Sequence, residues 1–243
     1  MSRLRQLPAF FLSPAHACGY LPGREAVTLF ADPHATPSPE LYAHLARFGF
    51  RRSGEHLYRP RCPDCTACVP VRVPVHGFAA NRSQRRNARA NATLEPALQP
   101  FGFDPEQFAL YRRYMAWRHP GSSMDDADPG HYLACFASSW CDTAALTLRA
   151  DGRLVAVAVT DRLGDAWSAV YTYFDPALAA RGLGTHAVLR QLEGARQAGC
   201  SHLYLGYWIA ACAKMRYKAG FRPLEWFSDG HWLRLAPGAP LPG

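Results

Sequence analysis

Apolar positions along the chain recur either every three to four residues or every second residue, and the two periods mark helices and strands. A first helix is predicted after Ser38, an N-cap followed by Pro39. Leu41, Leu45 and Phe48 lie on one face, and Gly49 is a stop. The rest of residues 1–75 is rich in Pro and turn signals, and residues 69–75 alternate as a strand interrupted by prolines. Residues 76–100 are polar and basic, and the run Asn81 to Asn87 reads as a connector or a short basic strand. Asp104-Pro105 opens a second helix with Phe108, Tyr111, Tyr114 and Met115 on one face, ending at His119-Pro120. A loop carrying Asp125, Asp126 and Asp128 follows.

The last hundred residues have a stronger rhythm. Strands at 144–149 and 154–160 meet across Asp151-Gly152, a hairpin signal. A third strand spans 166–174. Asp175-Pro176 and a turn bearing Gly182 and Gly184 lead into a helix through Val188, Leu189 and Leu192 that stops at Gly199. A fourth strand at 202–208 precedes a short helix at 212–219. Strands at 223–227 and 232–235 flank Asp229-Gly230. No internal repeat is visible. The pattern divides the chain into a Cys/Arg-rich N-terminal domain (1–75), a basic connector (76–103), a C-terminal domain (104–236) and a tail (237–243).

Composition narrows the class. With 49% hydrophobic and 12% aromatic residues in 243, the chain has enough apolar surface for a core. No apolar run reaches the roughly 18 residues that a membrane span needs. Arg3 and Arg5 precede the apolar Phe10-Phe11-Leu12, but Pro8 and Pro14 leave that stretch too short for a secretory leader. The expectation is a cytoplasmic protein with no membrane partner. Its eight cysteines then read as thiols or metal ligands rather than a disulfide framework.

Formal net charge is +8, and its placement changes the picture. Ten arginines lie between Arg47 and Asn91, opposed only by Glu55 and Asp64, so this stretch alone carries +8 and the remainder sums to zero. A localised basic region is the footprint of a polyanionic partner, or a solvated surface that aids solubility.

Two motifs carry candidate chemistry. Arg181-Gly182-Leu183-Gly184-Thr185 places glycines before a helix, where backbone N–H groups can approach an anion or a carbonyl oxygen. This resembles the pyrophosphate loop of CoA-dependent acetyltransferases, except that Ala179 stands at the Gln/Arg position. Cys62-Pro63-Asp64-Cys65-Thr66-Ala67-Cys68 is a C-x-x-C-x-x-C run with spacing suited to zinc or an Fe–S cluster. Cys18 is the candidate fourth ligand, and nearby arginines would favour thiolate. There is no phosphate-binding loop for ATP, no nucleophile elbow and no dinucleotide fingerprint. An acyl transferase built this way needs a donor activated elsewhere.

The assembled residues resemble the aminoacyl-tRNA–protein transferases of the N-degron pathway. The likeness runs through Cys18-Gly19-Tyr20-Leu21-Pro22, Gly49-Phe50-Arg51-Arg52-Ser53-Gly54, the cysteine run, and Asn81-Arg82-Ser83-Gln84-Arg85-Arg86. It continues in Leu183-Gly184-Thr185, Leu205-Gly206-Tyr207-Trp208-Ile209 and Cys212-x-Lys214-Met215-x-Tyr217-Lys218. The Cys and N-R-S-Q-R-R segments look like the bacterial aspartate/glutamate leucyltransferase branch. The resemblance implies transfer of leucine from leucyl-tRNA to proteins beginning with Asp or Glu, marking them for degradation. Arginyl-tRNA is the alternative donor. A CoA-dependent N-acetyltransferase and a non-catalytic RNA-binding redox module are the rival readings. The element order is similar to a GNAT-like acyltransferase core, of the α/β (α+β) class, with a small Cys/Arg-rich N-terminal region packed on it.

Such a reaction requires no cofactor. The candidate catalytic residues are Tyr171, Asp175, Gly184 and Tyr207. Asp175 would cap the Gly turn or hold the incoming amine. Lys214 and Lys218, the only lysines, fall four apart on the predicted short helix and so on one face. With Tyr217 they are candidates to bind substrate, either the acceptor carboxylate or the RNA end. Arg72, Arg82, Arg85, Arg86 and Arg89 are candidates for tRNA, and no DNA partner is expected. Cys18, Cys62, Cys65 and Cys68 are the candidate metal ligands.

Overall fold

A computed structural model describes residues 8–32, 34–121, 128–236 and 238–241. Arg3, Arg5, Asp125 and Asp126 lie outside the described residues. The N-terminal part contributes β1 (Phe10–Leu12), β2 (His16–Ala17), β3 (Glu25–Ala26), β4 (Thr28–Ala31), α1 (Pro39–Ala46), β5 (Arg51–Ser53), β6 (His56–Pro60) and β7 (Val69–Pro74). Then come α2 (Arg82–Ala90), β8 (Glu95–Pro100), α3 (Pro105–Arg118) and α4 (Pro129–Phe136). The C-terminal part adds β9 (Thr143–Ala150), β10 (Arg153–Arg162), β11 (Ala166–Phe174), α5 (Leu183–Gln197), β12 (His202–Trp208), β13 (Glu225–Ser228) and β14 (His231–Arg234).

The fold is mixed α/β around an eight-stranded sheet in the order β14-β13-β7-β12-β11-β10-β9-β8. Within it β11 and β12 are parallel and their other pairings antiparallel. This sheet takes β7 from residues 1–75 and β8 from residues 76–103, so it crosses the boundaries drawn on composition. A second sheet, β1-β4-β6-β5, belongs wholly to the N-terminal part. Helix α5 covers one face of the large sheet, where Val188, Leu192 and Ala195 meet Val73, Trp167 and Leu203. Helices α3 and α4 cover the other through Leu110, Tyr111, Met115, Tyr132 and Phe136.

Local signals account for the predicted helices. The Ser38 hydroxyl accepts from Leu41 N to start α1, and the Asp104 carboxylate accepts from Glu106 and Gln107 N to start α3. Three expectations need correction. Residues 82–90 form a helix rather than a connector or strand, because Asn81 and Gln84 close a reciprocal capping box with two 2.9 Å hydrogen bonds. The predicted loop ending near Gly130 gives way to α4 at Pro129, capped by Asp128. Residues 212–219 are not one helix: turns lead into a 3-10 segment, Arg216–Gly220.

A buried ion pair fastens the N-terminal sheet to the large one. Arg52 donates from Nε and Nη2 to the two Asp161 oxygens at 2.9 and 2.7 Å, and neither side chain has any exposure. Its remaining N–H groups reach the carbonyls of Gly54 and Phe136, while the Thr143 hydroxyl donates to Asp161. Every charge-bearing atom is therefore satisfied, as burial of a charge demands.

Candidate active site at a splayed strand pair

Strands β11 and β12 pair only at their beginnings, where Ala166, Trp167 and Ser168 face His202, Leu203 and Tyr204. Beyond that point no ladder joins them, and a wedge opens toward their C-terminal ends. Gly206 sits at a register shift between β12 and β7 with φ of +78°. At its Cα the guanidinium of Arg51 packs so closely that a Cβ there would lie 3.2 Å from Nε. Arg51 fills the apex of the wedge. Its Nη1 donates to Ser168 Oγ at 2.7 Å, and its Nη2 donates to the Ala169 carbonyl. Neighbouring residues on a strand face opposite ways. Arg52 therefore goes to Asp161 and Arg51 enters the wedge.

Lys218 is the second cation there. Its ammonium donates to the Tyr207 carbonyl at 2.7 Å, and only 7% of the residue is exposed. Burial, reinforced by the charge of Arg51, pushes its pKa down to about 7. Among the described residues neither Arg51 nor Lys218 makes an ion pair with a carboxylate. Tyr20, Tyr58, Cys68 and Cys212 are close enough for their charges to interact with one or both cations. Burial raises the pKa of the Tyr20, Tyr58 and Tyr207 hydroxyls, so these remain neutral hydrogen-bonding groups.

The residues singled out on sequence divide into groups. Tyr207 and Lys218 meet at the wedge, although the Tyr207 hydroxyl is occupied by the Gly49 carbonyl at 3.0 Å. It is the Tyr207 carbonyl that faces Lys218. Tyr217 is half-exposed nearby. Lys214 does not share a helical face with Lys218: it is exposed and lies 3.0 Å from His119 Nδ1. Tyr171 packs among Tyr114, Phe136 and Met115 under α3. Asp175 pairs with Arg153 at 2.9 Å and accepts from Ala177 N, so it caps the turn after β11. The glycine that this turn requires is Gly182, with φ of +64° and the Asn87 amide against its Cα; Gly184 lies within the first turn of α5. The four catalytic candidates thus do not form one constellation.

Of the tRNA candidates, Arg72 is engaged internally, paired with Glu225 at 2.9 Å and stacked 4.3 Å from the Trp232 ring centre. Arg82, Arg85, Arg86 and Arg89 are all exposed. Their spacing i, i+3, i+4, i+7 aligns them in one stripe along α2. The opposite face of α2 is fixed by hydrogen bonds from Gln84 to the Gly220 carbonyl and from Asn87 and Asn91 to the Arg181 carbonyl. Among the described residues no carboxylate pairs with the stripe.

The cysteines lie near one another, but the expected thiolate character is not found at Cys68. Burial, with Cys18, Cys62 and Cys65 adding to it, pushes the Cys68 thiol up to about 12. Among the described residues no three His, Cys, Asp or Glu side chains are arranged to hold a metal ion.

Sequence reasoning missed Arg51, Tyr20, Tyr58 and Cys212. The available signal was the pair Arg51-Arg52 between Gly49 and Gly54, since adjacent residues of a short strand must face two different environments.

The wedge can neutralise and orient an anionic group, and among the described residues no hydroxyl or thiol there is hydrogen-bonded to a His or carboxylate base. It suits direct attack on a pre-activated acyl group. No helix among the described residues is long and apolar enough to cross a membrane.

Comparison with known proteins gives the same direction. Residues 16–86 match the family model "Arginine-tRNA-protein transferase, N terminus", and residues 106–228 match its C-terminal counterpart. An aspartate/glutamate leucyltransferase of Marinobacter nauticus is 46% identical over 97% of this chain and 99% of its own length. Its counterpart in Nitrosococcus oceani is 47% identical over 93% of this chain and 95% of its own. Among solved structures, FemX aligns at a TM-score of 0.45 with 10% identity, over 79% of each chain. The C-terminal domain of a lysylphosphatidylglycerol synthetase from Agrobacterium fabrum aligns at 0.46 with 18% identity, over 71% of this chain and 52% of that one. Matches spanning both halves of the chain, with relatives near-equal in length, place it in the arginine-tRNA–protein transferase family, as an aminoacyltransferase.

Proposed function

We propose that the chain transfers leucine from leucyl-tRNA to the α-amine of proteins that begin with Asp or Glu, marking them for degradation in the cytoplasm. The observation that carries this reading is the pair of uncompensated cations, Arg51 and Lys218, in the wedge. A buried charge calls for a counter-charge. The side-chain carboxylate of an acidic N-terminal residue supplies one, and the α-amine beside it is then held for attack. The curated relatives bear the name aspartate/glutamate leucyltransferase, which agrees.

The chemistry asks little more of the protein. The donor is already an ester. The α-amine has an ordinary pKa near 7.7–8.0, so roughly a tenth of it is neutral at pH 7. It attacks the ester carbonyl, the C–N bond forms, and the ribose hydroxyl leaves with the proton given up by the amine. Positioning alone can lower such a barrier by about 7–11 kcal/mol. The exposed arginine stripe on α2 supports binding of the tRNA backbone.

Purified protein, leucyl-tRNA and a peptide beginning with Asp are expected to give a product heavier by one leucine residue. Arginyl-tRNA and acetyl-CoA in parallel should give none. An unmodified peptide with every donor would overturn the reading. For the stripe, Arg85→Ala combined with Arg86→Ala should weaken tRNA binding. It should also reduce the slope of log affinity against log salt by about 1–2. An unchanged slope would remove these residues from the interface.

A further inference from the structure

The four-stranded N-terminal sheet aligns one residue from each strand in a single row. Phe11 on β1 faces Phe30 on β4, Phe30 faces Tyr58 on β6, and Tyr58 faces Arg51 on β5. Register partners share a face of the sheet. The row is aromatic until it reaches the wedge, where it ends in the Arg51 guanidinium. The inner rings are in contact range, Phe30 and Tyr58 at 6.4 Å and Tyr58 and Tyr207 at 6.3 Å, and the Tyr207 carbonyl holds Lys218. Exposure falls along the row. Phe11 is 47% exposed, Phe30 and Tyr58 are partly buried, and Arg51 is buried.

β1 is the edge strand and is exposed on both faces, so Phe11 is open to a partner, and the rings behind it continue from that edge to the wedge. At the inner end of the row Arg51 and Lys218 supply cations that pair with no carboxylate among the described residues. Aromatic rings combined with unpaired cations are the chemistry of single-stranded nucleic-acid platforms, where bases stack and the backbone meets positive charge. We infer that this row is a stacking platform for the unpaired 3′ end of the donor RNA, which it leads into the wedge. The inference rests on the transferase reading above. It adds the surface that brings the ester-bearing nucleotide to Arg51 and Lys218, separate from the α2 stripe.

The test compares binding of uncharged leucine tRNA with that of the same tRNA lacking its unpaired 3′-terminal nucleotides. The proteins are the wild type, Phe11→Ala, Phe30→Leu and their combination. Wild type should prefer the intact tRNA. Each ring removed should weaken intact tRNA by roughly five- to a hundredfold and leave the truncated form unchanged, so that the preference shrinks. Unchanged binding of truncated tRNA also reports that the variant is folded. Phe11→Trp, which keeps a stacking ring, should retain the preference. If the combined variant still prefers intact tRNA as strongly as wild type, the platform is elsewhere. If it raises KM for the acceptor peptide and leaves RNA binding alone, the row serves the acceptor protein and the inference falls. Wild type that transfers leucine yet shows no preference for the 3′ end would sink the platform alone. Absence of transfer from any aminoacylated RNA would sink the reading beneath it.

Discussion

Replacing Lys218 with Met is expected to lower kcat/KM for an Asp-headed peptide by about 10²- to 10³-fold, because truncating one member of a buried charge pair costs about 2–5 kcal/mol. The preference for Asp over Asn at the acceptor N-terminus should disappear with it. A lysine with a purely structural role would do the opposite to stability. Lys218 has its pKa pushed down from 10.5 to about 7 by burial and by Arg51. The folded state therefore binds this proton less tightly than the unfolded chain does. The resulting penalty is fully present below pH 7 and fades as pH rises toward 10.5. Removing the charge should stabilise the protein at neutral and acid pH, on the order of 3 kcal/mol, after allowing for the lost hydrogen bond to the Tyr207 carbonyl. Denaturant unfolding of the two proteins at pH 6.5 measures this. A destabilised Lys218→Met variant with unaltered acceptor preference would refute the assignment.

The same pKa shapes the rate profile. A cationic Lys218 is lost as pH rises through about 7, and the neutral α-amine is gained as pH rises toward 8. For an Asp-headed peptide, kcat/KM should pass through a maximum between these values. For an Asn-headed peptide, which leaves Lys218 unused, only the acid limb should remain. Lys218→Arg keeps the charge at all accessible pH, so any activity it retains toward Asp should lose its alkaline limb.

The second large effect concerns the Arg52–Asp161 pair. Arg52→Leu is expected to destabilise the protein by about 3–5 kcal/mol, because it strands the Asp161 carboxylate without exposure to water. A domain of this size is stable by only about 5–15 kcal/mol, so the loss is a large fraction of the whole. Asp161→Leu should do comparable damage. The double variant should be markedly more stable than the sum of the two losses predicts, since no lone charge is left behind. Additive losses in urea unfolding would show that the pair has no coupling. Activity should fall together with stability. Arg52 anchors β5, and β5 is the strand that aims its neighbour Arg51 into the wedge.

How much of this was legible beforehand follows the range of the forces. The helices α1, α3 and α5 and the hairpin of β9 and β10 were readable because their caps and turns are made by residues a few positions apart, such as Ser38 with Leu41. α2 carried an equally local signal in Asn81 and Gln84. Its arginine-rich surface has no apolar stripe, however, and its inner face is polar, satisfied by carbonyls at positions 181 and 220. Periodicity alone therefore could not find it. The family resemblance and the placement of positive charge were also properties of the chain itself.

Only the tertiary structure decided which candidates meet. Asp175, Gly184 and Tyr171 sit at the β11 arm or beneath it, while Lys218 and Tyr207 sit at the β12 arm. Which arm holds the two cations depends on β7 pairing between β12 and β13, and on β5 reaching the apex more than a hundred residues along the chain from Ser168. Arg72 and Arg82 look alike as letters, yet Glu225 neutralises one and solvent surrounds the other. Sequence specifies which groups can carry charge. Burial and partners supplied from distant strands determine which of those charges remain uncompensated, and a site for an anionic substrate is made of the charges left over.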